Sequence, residues 1–151
     1  MSLPFILELI LPLACAWAKW HESIILRKGV PLSDAQLRTA RELGIRHPDR
    51  VRLLAVQKVP PASRLLQRAA QAVGLDSSQT IGMTLRYGIF IQESYWGDRR
   101  LLVHELAHVV QYERLGGFCG FLRLYLRECI NPGYPLGDLE REAKRAELKY
   151  R

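Results

Sequence analysis

The segment Leu101 to Arg114 constrains this chain more than any other. Its apolar residues Leu101, Leu102, Val103, Leu106, Ala107, Val109 and Val110 fall on all sides of a helix with about 3.6 residues per turn, so the helix must be mostly enclosed. The same stretch carries His104, Glu105 and His108. Polar side chains in an enclosed helix need partners, because burying them unpaired is costly. Residues four apart stack on one face, so His104 and His108 aim at one point, where a single zinc ion satisfies both rings. Glu105 lies one step round, poorly placed as a third ligand on that face but within reach of a metal-bound water. That is the division of labour of a metal-dependent hydrolase. The plainer reading, a chance pair of helix histidines, requires a separate hydrogen-bond acceptor for each ring.

The 151 residues are the size of one ordinary domain, and we expect a single unit over 1–151. A hydrophobic share of 48% with 25% charged residues belongs to a globular chain rather than a disordered one. The net charge of +7 raises nucleic-acid binding, but the basic residues are scattered from Lys19 to Arg151, singly or in pairs such as Arg27-Lys28 and Arg99-Arg100. No specific nucleic-acid partner is expected. A solvated basic surface accounts for the charge and suits acidic partners or anionic lipid.

Cys15, Cys119 and Cys129 are odd in number and lack CxxC spacing, which argues against a disulfide framework and for a reducing compartment, the cytoplasm. The apolar run Leu3 to Ala18 contains Glu8, Pro4 and Pro12 and has no positive start, so it reads as a packing helix for core or partner. An N-terminal anchor or export signal is its other reading.

That first helix should run to about Leu26, with a turn at Gly29 and Pro31. Ser33-Asp34-Ala35-Gln36 is a capping box for a helix from Asp34 to about Leu43, ended by Gly44. Arg52 to Val56 suits a strand leading to Pro60-Pro61, and a further helix is expected from Ala62 to Val73. Ile81, Met83 and Leu85, then Ile89 and Ile91, alternate as two strands of a hairpin turning at Tyr87-Gly88. Gly116-Gly117 reverses the chain into a helix from Phe118 to Ile130. After Asn131 to Pro135, Asp138 is placed to cap a last helix from Leu139 to Lys149. These elements predict an α+β fold: a small, mostly antiparallel sheet packed on the HExxH helix, with N-terminal helices and a C-terminal glutamate helix.

Catalytic zinc usually takes three protein ligands and keeps one position open. Gln111 and Arg114 stand where the extended metzincin pattern has Gly and His, which excludes that class. A cysteine ligand has no suitable segment, since Cys119 follows the wrong element. A glutamate from a later helix remains, and Leu139-Glu140-Arg141-Glu142-Ala143-Lys144 supplies it. With His104-Glu105-Leu106-Ala107-His108-Val109-Val110-Gln111 and the preceding apolar strand, this segment resembles the gluzincin zinc metallopeptidases over about Thr80 to Arg145.

The resemblance implies that His104, His108 and Glu140 bind zinc and that Glu105 assists attack of a zinc-bound water on a peptide bond. Glu142 is the alternative ligand. Many gluzincins carry an acid four residues after the ligand glutamate, where it orients a zinc histidine; here that residue is Lys144, which cannot accept the hydrogen bond. For the developing oxyanion Tyr134 is the first candidate, with Tyr125 and His47 behind it. The strand Ile89 to Gln92 would offer an edge to an extended peptide substrate. The rival reading is a non-catalytic zinc module whose apolar first helix meets a partner, a membrane or a second copy.

Overall fold

The structure, a computed structural model, describes residues 2–59 and 80–150. The helix expected over Ala62 to Val73 and the approach to Pro60-Pro61 lie outside those residues. A long helix α1 (Leu3–Lys28) leads into a two-residue strand β1 (Val30–Pro31) and helix α2 (Asp34–Leu43). Ser33 closes the capping box with Gln36, and Gly44 ends α2 in the left-handed region at φ 98°. Strand β2 (Arg52–Val56) follows, then a hairpin of β3 (Gly82–Leu85) and β4 (Gly88–Gln92). The hairpin turns on Arg86 and Tyr87, one position earlier than expected, with Arg86 at φ 63°. Three helices complete the chain: α3 (Arg99–Arg114), α4 (Phe118–Glu128) and α5 (Asp138–Lys149).

The fold is mixed α/β with a small mixed sheet, in which two of the three strand pairings are antiparallel as expected and one is parallel. The strand order is β1-β2-β4-β3, with β2 and β4 parallel and the two outer pairs antiparallel. β4 is therefore interior, which corrects its assignment as the exposed edge. Gly88-Ile89-Phe90-Ile91 is buried throughout. An unbroken apolar run is what a strand covered on both faces and paired on both sides requires. Among the described residues the terminal strand on that side is β3.

Ile89 and Ile91 point from β4 into a core shared with Leu53 of β2 and with Leu102, Leu106 and Val109 of α3. Phe90 points the other way, into a second core with Ala18 and Ile25 of α1. The close approach of α1 depends on Gly88, where a Cβ would lie 2.9 Å from the Ile25 Cβ. Farther along, Cys15 of α1 and Cys119 of α4 are paired as a disulfide, with Cα atoms 5.7 Å apart. That pairing runs against the expectation, drawn from cysteine number and spacing, that disulfides play no part. The two residues are 104 positions apart on different helices, so local spacing carries no trace of it.

Candidate metal centre

α3 begins at Asp98, whose carboxylate accepts the Leu101 N–H at 3.0 Å. From this start, His104 and His108 come onto one face while Leu102, Val103, Leu106 and Val109 are buried around them. α5 is aimed by a different device. Glu128, at the end of α4, accepts the Leu139 N–H at 3.0 Å and so caps α5 from outside it. Gly137 makes room: a Cβ there would lie 2.6 Å from the Glu128 Cβ. Asp138, expected as the cap, is the first residue of the helix, and the N-cap position belongs to Gly137.

This placement brings His104, His108 and Glu140 together, with one donor atom from each lying within 4.8 Å of the others. His104 Nε2 is 3.2 Å from Glu140 Oε2, and His108 Nε2 is 3.3 Å from Glu140 Oε1. Glu142, the alternative, turns away; its two oxygens meet the Arg114 guanidinium, each at 2.8 Å.

The remaining ring nitrogens are also engaged. His104 Nδ1 lies 3.3 Å from Glu147 Oε2, and His108 Nδ1 lies 2.8 Å from Gln111 Oε1. The Gln111 amide has only one sensible orientation, because its Nε2 donates to the Leu139 carbonyl at 2.9 Å and to Glu142 at 3.1 Å. All four imidazole nitrogens therefore face acceptors. A neutral imidazole has one N–H and one lone pair, so each ring has one acceptor too many unless it takes a second proton or its lone pair binds a cation. Two imidazolium rings with centroids 5.0 Å apart, one of them buried, repel each other. His104, His108 and Glu140 would together hold a divalent cation, which would leave each Nδ1–H to donate to the acceptor behind it. The His-His-Glu cluster can thus hold a metal ion.

The electrostatics agree. Burial disfavours the charged rings, but the Glu140 hydrogen bonds and the fields of Glu105 and Glu140 outweigh it and raise both imidazole pKa values. Burial likewise opposes ionisation of Glu140, yet the two imidazoles hold its carboxyl far below the usual range. Carboxylate and imidazoles thus each favour the other's charged form.

Glu105 is buried and its Oε2 accepts from the Thr84 hydroxyl of β3 at 2.6 Å. Its other oxygen faces Gly82, where a Cβ would come within 2.8 Å. Of the tyrosines, Tyr125 makes the direct contact, its hydroxyl donating to Glu140 Oε1 at 2.9 Å. Tyr134 stands 52% exposed at the mouth of a small depression that it shares with Tyr125, Glu128, Cys129, Gly137 and Glu140. Burial and the nearby charges of Glu140 and Glu105 raise its phenol pKa, so it is a proton donor at neutral pH. His47 packs against Tyr87 instead and is not part of the cluster.

Glu147 and Gln111 are the functional neighbours that sequence reasoning overlooked. Glu147 takes the orienting role that Lys144 cannot fill, and Lys144 in turn steadies it: Lys144 Nζ and Arg100 Nη2 bond its second oxygen at 3.2 and 3.1 Å. A signal was present. Glu147 follows Glu140 by seven residues, two helical turns along the same face, and Gln111 follows His108 by three. No family profile, curated protein or solved structure matches this chain.

Proposed function

We propose that this chain is a zinc-dependent peptidase of the gluzincin type, with His104, His108 and Glu140 as ligands and Glu105 as the general base. The observation that carries the reading is the cluster in which two imidazoles and a carboxylate converge while each Nδ1 is held by an acceptor behind it. Borderline donors of this kind, two nitrogens and one carboxylate oxygen, suit zinc and leave a coordination position open. When bound, zinc supplies Lewis acidity, lowering the pKa of a water and polarising a carbonyl.

The protein's own groups do the rest. Thr84 fixes Oε2 of Glu105, and the carboxylate so held would take the proton of the attacking water and deliver it to the departing amine. Tyr134, protonated at the mouth of the depression, donates to the developing oxyanion. Tyr125 is committed to Glu140 and holds that carboxylate in line. An extended peptide would pair along β3, which carries Thr84 and is terminal among the described residues, rather than along interior β4.

A non-catalytic zinc module is the second reading, and the near-complete burial of Glu105 favours it. One experiment separates them: bound zinc and cleavage of an unstructured protein, measured for the parent and for Glu105→Gln. Zinc in both with cleavage lost in the variant supports the peptidase. Zinc in both with an inert parent supports the module, and a parent that binds no zinc overturns both.

A further inference from the structure

Helix α1 carries two apolar faces, and among the described residues only one is packed. Leu7, Leu11, Cys15, Ala18 and Ile25 face inward and are buried. On the opposite side Phe5, Leu9, Leu13 and Trp20 form a continuous outward stripe, with Leu9 58%, Leu13 50% and Trp20 62% exposed. From Phe5 to Trp20 the stripe is about 22 Å long at 1.5 Å per residue. A patch of this kind marks an interaction site, and its surroundings say of what kind.

The surroundings are basic. Lys19 and Arg27 stand exposed beside Trp20 and at the end of the stripe. The exposed acid of α1 among the described residues, Glu8, is already paired with Arg123 at 3.1 Å and Arg127 at 3.5 Å, two cations for one carboxylate. The chain as a whole carries +7. A second copy would bring like-charged margins together and is disfavoured; anionic headgroups complement them. The helix is long and apolar enough to cross a bilayer, with mean hydropathy 1.2 over its most apolar window. Crossing would strip Leu7, Leu11, Ala18 and Ile25 from the core, and the Cys15–Cys119 bond ties α1 to α4. The helix must lie along a surface and keep its inner face on the protein.

We propose that α1 is a monotopic membrane helix that lies in the plane of an anionic bilayer. Phe5, Leu9, Leu13 and Trp20 enter the acyl boundary, while Lys19, Arg27, Arg123 and Arg127 meet the headgroups. The inference stands apart from zinc chemistry, since none of these residues touches the metal cluster.

Vesicle flotation of the full chain tests it. The parent should float with phosphatidylcholine vesicles containing a quarter phosphatidylglycerol, bind pure phosphatidylcholine more weakly, and lose binding as salt is raised. Leu9→Glu with Leu13→Glu should reduce partition by about tenfold or more, and Lys19→Gln with Arg27→Gln severalfold. Thermal unfolding of each variant close to the parent's shows that these exposed changes leave the fold intact. Flotation of the double-glutamate variant equal to the parent's overturns the proposal, as does a parent that stays at the bottom of the gradient. A buffer dimer dissolved by the glutamates without vesicle binding would identify a second copy as the occupant. Resistance of bound protein to carbonate extraction would identify a span.

Discussion

The two histidines of α3 are one helical turn apart and chemically alike, but they are held by opposite means. His104 leans on a carboxylate, Glu147, which is itself balanced by the cations Arg100 and Lys144 near the surface. His108 leans on a neutral amide, Gln111, which is fully buried and anchored to the Leu139 carbonyl. One half of the centre is ionic and open to screening by salt; the other is dry and depends on fixed hydrogen bonds. Glu140 joins the halves, giving one oxygen to each ring. A metal site can thus be rigid on its buried side and tunable on its solvent side.

The largest effect is expected where the halves meet. Glu140→Ala should weaken zinc binding by more than about the hundredfold ceiling typical of outer-sphere partners, measured by competition with a chromophoric chelator. Gln111→Ala comes next, with zinc binding about 10- to 100-fold weaker. It also leaves the buried His108 Nδ1–H without its acceptor and removes a second donor from the Leu139 carbonyl, so urea titration of the metal-free protein should show a loss of about 1–3 kcal/mol. Glu147→Gln should cost about tenfold in zinc affinity or less, because an amide oxygen still accepts from Nδ1, and the loss should shrink in high salt. A larger loss for Glu147→Gln than for Gln111→Ala, or a salt-dependent Gln111 effect, would break the contrast between the two sides.

The smallest effect belongs to Arg114→Met. Its ion pair with Glu142 is substantially exposed, and screening keeps its worth under about 1 kcal/mol. The hydrogen bond from Arg114 lowers the Glu142 pKa, so this contribution is present above the ordinary carboxylate value of 4.5 and is lost as pH falls through the lowered folded value. The difference in stability between parent and variant should accordingly be flat near neutrality and close in acid.

Local features were legible in the chain because local forces set them. The capping box at Ser33 and Gln36 and the left-handed Gly44 delimit α2 within its own residues. The HExxH spacing puts two rings on one face whatever surrounds them. Glu140 was readable only as one of two acids, since Glu142 differs from it by a rotation that depends on where α5 starts. That start is set by Glu128 and Gly137 through a contact between elements. The parallel pairing of β2 with β4 was hidden for the same reason: parallel partners are joined by a long excursion, whereas a hairpin announces itself at its turn. Yet Gly88-Ile89-Phe90-Ile91, apolar without alternation, already implied an interior strand.

The bond between Cys15 and Cys119 divides the chain topologically. Every strand of the sheet and both histidines fall inside the ring it closes; Glu140 falls on the tail beyond it. A closure of this length removes on the order of 4–5 kcal/mol of freedom from the unfolded ring in a chain-entropy account, and nothing comparable from the tail. The tail has no covalent tie to the ring, and α5 is held on it by the packing of Leu139 with Tyr112 and Phe121 and by the Gln111 hydrogen bond to the Leu139 carbonyl. A metal at the cluster would then act as a clasp, adding coordinate bonds between the covalent loop and a helix that otherwise rests on it by packing and hydrogen bonds.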